Sequence, residues 1–420
     1  MKKIILLPLL LLALQSFAQP SVNTIKRVAQ YLDTTYQLNP LEKSFIHTDK
    51  DWYTIGETIW FKAYVTTDNQ LTELSKVLYV DIVNAQDSVV LKTKWPIEKN
   101  TSYGDVFLSY SLPAGNYKLR SYTLWMLNTP ETICEQAFTL LSTDMLAPAK
   151  KTNKTETYKV QFFPEGGKWL AGLEQKIAFQ VYNQNGEPPV DASTQITLLE
   201  NGTPVQTVAP QKNGLGSFQI TADATKTYTA QLVIGKKPAI NSPLPPVETD
   251  GVLLQLINQS PTKLLVNIAR SENGAETNKQ LHLLAQINGN VFYSADVNLT
   301  ETNALAARIP KNGLPHGVIT LTVFNSSMQP LAERLVYNNV LTAPTVAVEP
   351  VSTSKKAKAP NTITVQLPND ASNASLSIST VSGINNAVKN NSLTSYLLLT
   401  SELKGYVYNP QYYLEAKDSI

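Results

Sequence analysis

The chain has 420 residues, with 35 basic against 33 acidic side chains for a formal charge of +2, and an apolar content of 43%. So even a balance, without long blocks of one sign, gives no electrostatic reason to expect nucleic acid as a partner. The single cysteine, Cys134, excludes an internal disulfide framework. Charged residues make up only 16%, against about 25% in average soluble proteins, and Thr, Ser, Asn and Gln take their place, as in extracytoplasmic β-proteins. A chain this long exceeds what one core can organise and calls for three or four domains.

The N-terminus reads as an export signal over residues 1–18. Lys2 and Lys3 precede an apolar run, Ile4 to Leu14, and Ser16-Phe17-Ala18 offers small residues to a peptidase, so cleavage is expected before Gln19. The run is too short for a permanent bilayer span, and no later stretch approaches one, so the mature chain is expected to lack an integral membrane span. No cysteine follows the cleavage point, so no lipid anchor is expected there.

Residues 19–40 form a helical lead, in which Val22, Ile25, Val28, Leu32 and Tyr36 recur at helical spacing. From Leu41 the period changes to two. In Thr58 to Val65, the residues Ile59, Phe61, Ala63 and Val65 face one side, and Trp60, Lys62 and Tyr64 the other. Similar runs follow at 77–84, 88–95, 105–110, 116–124 and 133–141, with turn residues between them, so 41–143 reads as a β-sandwich. Residues 144–157, with Lys150, Lys151 and Lys154, read as a linker. A second sandwich is expected over 158–236, where Tyr228, Ala230, Leu232 and Ile234 alternate with polar neighbours. Pro238, Pro243, Pro245 and Pro246 then argue for a second linker, because proline brings no N–H to a central strand. A third sandwich is expected over 251–342 and a partial fourth over 361–420. Within that last stretch, Leu393, Tyr396, Leu397 and Leu403 before Gly405 predict a helix with a glycine stop. The fold class is therefore all-β: tandem immunoglobulin-like sandwiches behind a short N-terminal helix, strung out as a rod.

No catalytic signature stands out. Cys134 lies in the strand-like Ile133-Cys134-Glu135-Gln136 and reads as a small buried apolar residue. The only histidines are His47, His282 and His316, and no nucleophile elbow, H-E-x-x-H pair, P-loop or dinucleotide fingerprint accompanies them. His47, Asp49, Asp51 and Glu57 are close in sequence, yet they match no zinc or calcium ligand spacing, and a solvated turn is the simpler reading. No enzyme activity, cofactor or metal is expected. Five Trp and 19 Tyr open a different route, stacking on sugar rings, although strand aromatics more often pack cores. Trp60 and Tyr64, on the side expected to face water, are the candidates for such a binding face.

The segment Thr48-Asp49-Lys50-Asp51-Trp52-Tyr53-Thr54-Ile55-Gly56-Glu57 resembles the strand-turn-strand of macroglobulin-type domains in alpha-2-macroglobulin-like proteins. It keeps Thr48, Asp49, Lys50, Tyr53, Gly56 and Glu57, but Asp51 and Ile55 stand where that family favours proline. Leu112 to Met126, Phe162 to Gly167, Leu331 to Tyr337 and Ser395 to Gly405 resemble a narrower group: exported bacterial proteins with macroglobulin-like repeats, often continued by a TonB-dependent receptor plug domain. The resemblance covers most of residues 41–413. Members usually run further than Ile420, so a truncated product is one expectation here. Covalent protease trapping is not expected, because the family's thioester stretch G-C-G-E-Q is missing. Independently of the family, Gly115-x-Tyr117 sets a turn glycine before an inward tyrosine whose hydroxyl can tie the turn.

The resemblance implies a non-enzymatic scaffold or interaction protein of the Gram-negative envelope, periplasmic or outer-membrane-associated. It would have an envelope or outer-membrane protein as partner and a link to TonB-dependent uptake. A carbohydrate-binding surface protein, with a glycan partner, and a non-covalent macroglobulin-type protease inhibitor remain as alternatives.

Overall fold

The computed structural model describes residues 24–142, 156–272, 274–338, 346–352, 354, 356, 358–367, 374–380 and 391–415. The export signal expected at 1–18 and most of the Lys-rich stretch 144–157 lie outside the described residues. Among the described residues the chain is all-β, with mostly antiparallel sheets, parallel only where Trp52–Thr54 pairs with Cys134–Leu141 and Trp169–Leu170 with Val247–Glu248, and three α-helices of 15, 6 and 6 residues.

Helix α1 (Thr24–Leu38) buries Ile25 and Tyr36, one face of its helical stripe. The first sandwich follows as β1 (Glu42–Thr48), β2 (Trp52–Thr54), β3 (Thr58–Thr67), β4 (Gln70–Leu71), β5 (Val77–Asn84), β6 (Val89–Pro96), β7 (Thr101–Phe107), β8 (Gly115–Tyr122) and β9 (Cys134–Leu141). β3 is the hub of one sheet, pairing with β1, β4 and β7; the other runs β2-β9-β8-β5-β6. Between them Ile59, Phe61, Ala63 and Val65 of β3 meet Leu78, Val80 and Ile82 of β5 and Leu119 of β8. The alternation in β3 thus aims its four apolar residues into the core, each of the larger ones contributing roughly 1.5–3 kcal/mol on burial. The Tyr117 hydroxyl donates to the Pro113 carbonyl at 2.6 Å and closes the turn before β8.

The second sandwich comprises β10 (Tyr158–Pro164), β11 (Trp169–Leu170), β12 (Glu174–Asn183), β13 (Gln195–Glu200), β14 (Thr203–Val208), β15 (Leu215–Thr221), β16 (Tyr228–Val233), β17 (Ile240–Pro243) and β18 (Val247–Glu248). Its sheets run β10-β12-β15 and β14-β13-β16-β17, and β11 pairs with β18 in parallel. The proline-rich segment after 236 is therefore not the linker expected. Among the described residues β17 pairs only with β16, and on such an edge the missing N–H of Pro243 faces away from the ladder. The third sandwich comprises β19 (Val252–Ile257), β20 (Lys263–Arg270), β21 (Gln280–Ile287), β22 (Asn290–Asn298), β23 (Ala304–Pro310), β24 (Gly317–Asn325) and β25 (Pro330–Asn338), ordered β19-β20-β23 and β22-β21-β24-β25. Each of these two sandwiches encloses its own buried apolar cluster.

Over the stretch expected to hold a partial fourth sandwich, strand β27 (Thr362–Gln366) pairs with the upstream β26 (Ala347–Ser352). Helices α2 (Leu393–Leu398) and α3 (Pro410–Glu415) follow. α2 opens on a capping box between Ser392 and Ser395 and ends well short of Gly405. Its Tyr396 and Leu397 belong to the core of the first sandwich.

The sandwiches follow one another in sequence as expected, but they are not strung end to end as a rod. Glu402 holds Lys43 of β1 in a buried ion pair and accepts from Asn288 Nδ2, between β21 and β22, at 3.2 Å. First and third sandwiches are thus neighbours, although the second separates them in sequence. α1 strengthens that contact, since Asp33 accepts from the Val291 N–H of β22 at 2.7 Å. Further along, Tyr413 accepts from Asn213 of the second sandwich, and Lys212 sits 4.5 Å from the Tyr412 ring. Residues 391–415 therefore touch all three sandwiches.

Candidate functional site

The segment from Thr48 to Phe61 is built from its own hydrogen bonds. Asp49 Oδ1 accepts from the Tyr53 hydroxyl at 2.6 Å and from the Trp60 N–H at 3.0 Å, so one carboxylate ties β2 to the beginning of β3. Glu57 accepts from the Thr54 N–H at 2.6 Å and from the Lys50 ammonium at 3.0 Å. That ammonium also lies 4.8 Å from the Tyr53 ring centre and 5.2 Å from that of Trp52. Burial pushes the Glu57 carboxyl up, but the Thr54 and Lys50 donors outweigh it and hold it below the usual carboxylate range. The Tyr53 phenol is pushed far up, by burial first and by the Asp49 carboxylate second. Gly56 has φ +87°, and a Cβ there would stand 2.5 Å from Cε1 of Tyr110.

Three of the four residues weighed as metal ligands, His47, Asp49 and Glu57, meet protein groups instead. Asp49 and Glu57 face the donors just named, while His47 Nδ1 lies 2.7 Å from Ser377 Oγ. Among the described residues no group of three or more His, Cys, Asp or Glu is gathered as a metal ion requires.

The outer face of the β3–β7 sheet is different in character. Register pairs Thr58 with Phe107, Trp60 with Asp105, Lys62 with Tyr103 and Tyr64 with Thr101, so these eight side chains share one side. Trp60 is 60% exposed, Tyr103 67%, Phe107 50%, and Tyr110, whose ring meets Phe107 edge-on at 6.0 Å, 77%. The row is underpinned from within: the inward Gly104 leaves room for the Trp95 ring, which packs edge-on against Phe61 at 5.6 Å.

Of the two residues singled out in sequence, Trp60 stands on this open face and Tyr64 does not. Tyr64 is 6% exposed, because the extended segment 374–380 lies over it. Its hydroxyl donates to Ser377 Oγ at 2.9 Å, and the neighbouring Lys62 donates to the Leu376 carbonyl at 2.9 Å. No local pattern foretells a cover from more than 300 residues away. Tyr103 and Phe107 are not among the residues singled out, although in Ser102-Tyr103-Gly104-Asp105-Val106-Phe107 they alternate with small or inward residues; Tyr110 carries no such signal.

Cys134 is 1% exposed, and burial pushes its thiol up to about 11. A thiol so protonated is a poor nucleophile. Iodoacetamide near neutral pH should therefore leave it unmodified in the folded chain and alkylate it once urea is added; rapid labelling without urea would show that β9 opens. An open groove of about 430 Å3 between the edges of β10 and β17 has Lys159 as its one charged lining residue and so offers no acid–base pair.

No protein-family model matches the chain, and no curated protein matches it. Among solved structures it is similar to a mutant of Salmonella alpha-2-macroglobulin, at 11% identity and TM-score 0.21, with 74% of this chain against 24% of that one. It is also similar to trypsin-activated alpha-2-macroglobulin of Escherichia coli, at 10% identity and TM-score 0.24, with 74% of this chain against 25% of that one. A third is dimeric latent PorU of Porphyromonas gingivalis, at 13% identity and TM-score 0.29, with 71% of this chain against 33% of that one. The chain thus spans a quarter to a third of those chains, and superpositions this loose carry no argument about function.

Proposed function

We propose that the chain is an exported, non-enzymatic scaffold of the Gram-negative envelope that holds a partner protein on the joined surfaces of its sandwiches. The carrying observation is the return of residues 391–415 onto all three sandwiches, with Glu402 reaching both Lys43 and Asn288. A string of freely jointed modules presents separate surfaces. One tied together by a buried ion pair and shared core side chains presents a single pre-shaped surface, and pre-organisation lowers the cost of binding. The export signal expected at residues 1–18, and the turn's resemblance to macroglobulin-type domains, support placement outside the cytoplasm. An outer-membrane protein, within a TonB-linked uptake system, is the partner class that the narrower resemblance favours.

The test is in-cell chemical cross-linking of the tagged chain, followed by titration of the purified candidate partner. One recurring envelope protein that then binds the chain at micromolar or tighter Kd is the expected result. Cross-links confined to cytoplasmic proteins, or turnover of a small substrate by the purified chain, would overturn the reading. Stoichiometric inhibition of an added protease would narrow the partner to that class.

A further inference from the structure

Beyond the protein partner, we infer that the outer face of β3 and β7 is a binding site for a neutral polysaccharide. Three observations converge on it. First, the rings are in register: Trp60 stands opposite Asp105, with Tyr103 and Phe107 on its two diagonals, at cross-strand separations of roughly 7–8 Å. An aromatic row on one pleated face offers flat apolar surface to the C–H faces of successive sugar rings, and it lies open to solvent.

Second, the polar groups among the rings suit hydroxyls. Thr58 offers a hydroxyl, Asp105 a carboxylate acceptor and Lys62 an ammonium, so the face carries one charge of each sign and no net charge. That balance gives no attraction to a polyanion such as nucleic acid or an anionic lipid surface. It matches an uncharged ligand with an apolar face and a rim of hydroxyl donors and acceptors.

Third, the platform is held before any ligand arrives. The Trp60 backbone is gripped along one edge by Asp49, whose carboxylate accepts its N–H and whose own N–H donates to its carbonyl. Tyr110 is seated over Gly56 and against Phe107. Lys62, at the border, is tied to the Leu376 carbonyl. The backbone that carries the face is thus fixed before binding, which lowers the ordering cost for a weakly interacting ligand such as a sugar.

The experiment runs the whole chain through native affinity gels containing soluble glucan, mannan, xylan or galactan, with alginate as the polyanionic comparison. Binding to the retarding polymer is then titrated by tryptophan fluorescence. Retardation by at least one neutral polymer is expected, insensitive to added salt. Trp60→Ala and Tyr103→Ala should each weaken it about tenfold or more, whereas Tyr31→Ala, an exposed tyrosine on α1, should leave it unchanged. Unaltered melting of the two face variants, whose side chains are exposed, separates lost binding from lost folding. The proposal is overturned if no neutral polymer retards the chain, if alginate alone does so in a salt-sensitive way, or if both face variants bind as tightly as the parent. Loss of a protein partner in the same variants, with sugar binding absent, would make the face a protein-docking surface. That result would sink the glycan assignment and leave the scaffold reading standing.

Discussion

Tyr396→Ala is expected to destabilise the first sandwich by about 3–5 kcal/mol, the cost of truncating a buried aromatic to alanine. Tyr396 is 7% exposed, its ring centre lies 5.7 Å from that of Phe45 on β1, and its hydroxyl donates to the Thr132 carbonyl at 3.1 Å. Truncation opens a cavity against an edge strand and leaves that carbonyl without its donor. It also removes the anchor by which residues 391–415 reach the first sandwich. The loss should thus appear twice: in the urea midpoint, and in faster trypsin cleavage after the exposed Lys404. Parent-like values of both would show that α2 does not hold the sandwiches together.

Lys43→Met is expected to cost about 3–5 kcal/mol, because it strands Glu402 in a poorly hydrated site without its cation. The two side chains are 3% and 11% exposed, so solvent screens the pair little. Adding Glu402→Leu should recover much of that loss, since a packed apolar pair can match a buried ion pair of similar volume. A double-mutant cycle in urea reads the coupling. Additive single losses would mean that the two side chains do not communicate, and the contact between first and third sandwiches would then need another cause.

The turn at Thr48 to Glu57 shows how far short-range reading carries. Asp49, Tyr53 and Glu57 find their partners within eleven residues, so their spacing already contained the answer. The same holds for Tyr117 and Pro113, four residues apart. The proline-rich stretch after 236 shows where such reading misleads: Pro243 weakens any central strand, but whether a strand is central or at an edge depends on the neighbours it acquires. The candidate face divides in the same way. Trp60 was legible because alternation aims it outward, whereas Tyr103 and Phe107 joined it only through the pairing of β3 with β7.

Alternation with period two, read along the chain, was enough by itself to decide the all-β class and the inward set Ile59, Phe61, Ala63 and Val65, because a strand's geometry ties face to parity. Only the tertiary structure decided that Tyr64 lies under Ser377, that Glu402 joins Lys43 to Asn288, and that the first and third sandwiches stand side by side. Those contacts link residues one to several hundred positions apart. No local period encodes them, because they depend on which complementary surfaces distant segments bring together in the folded chain.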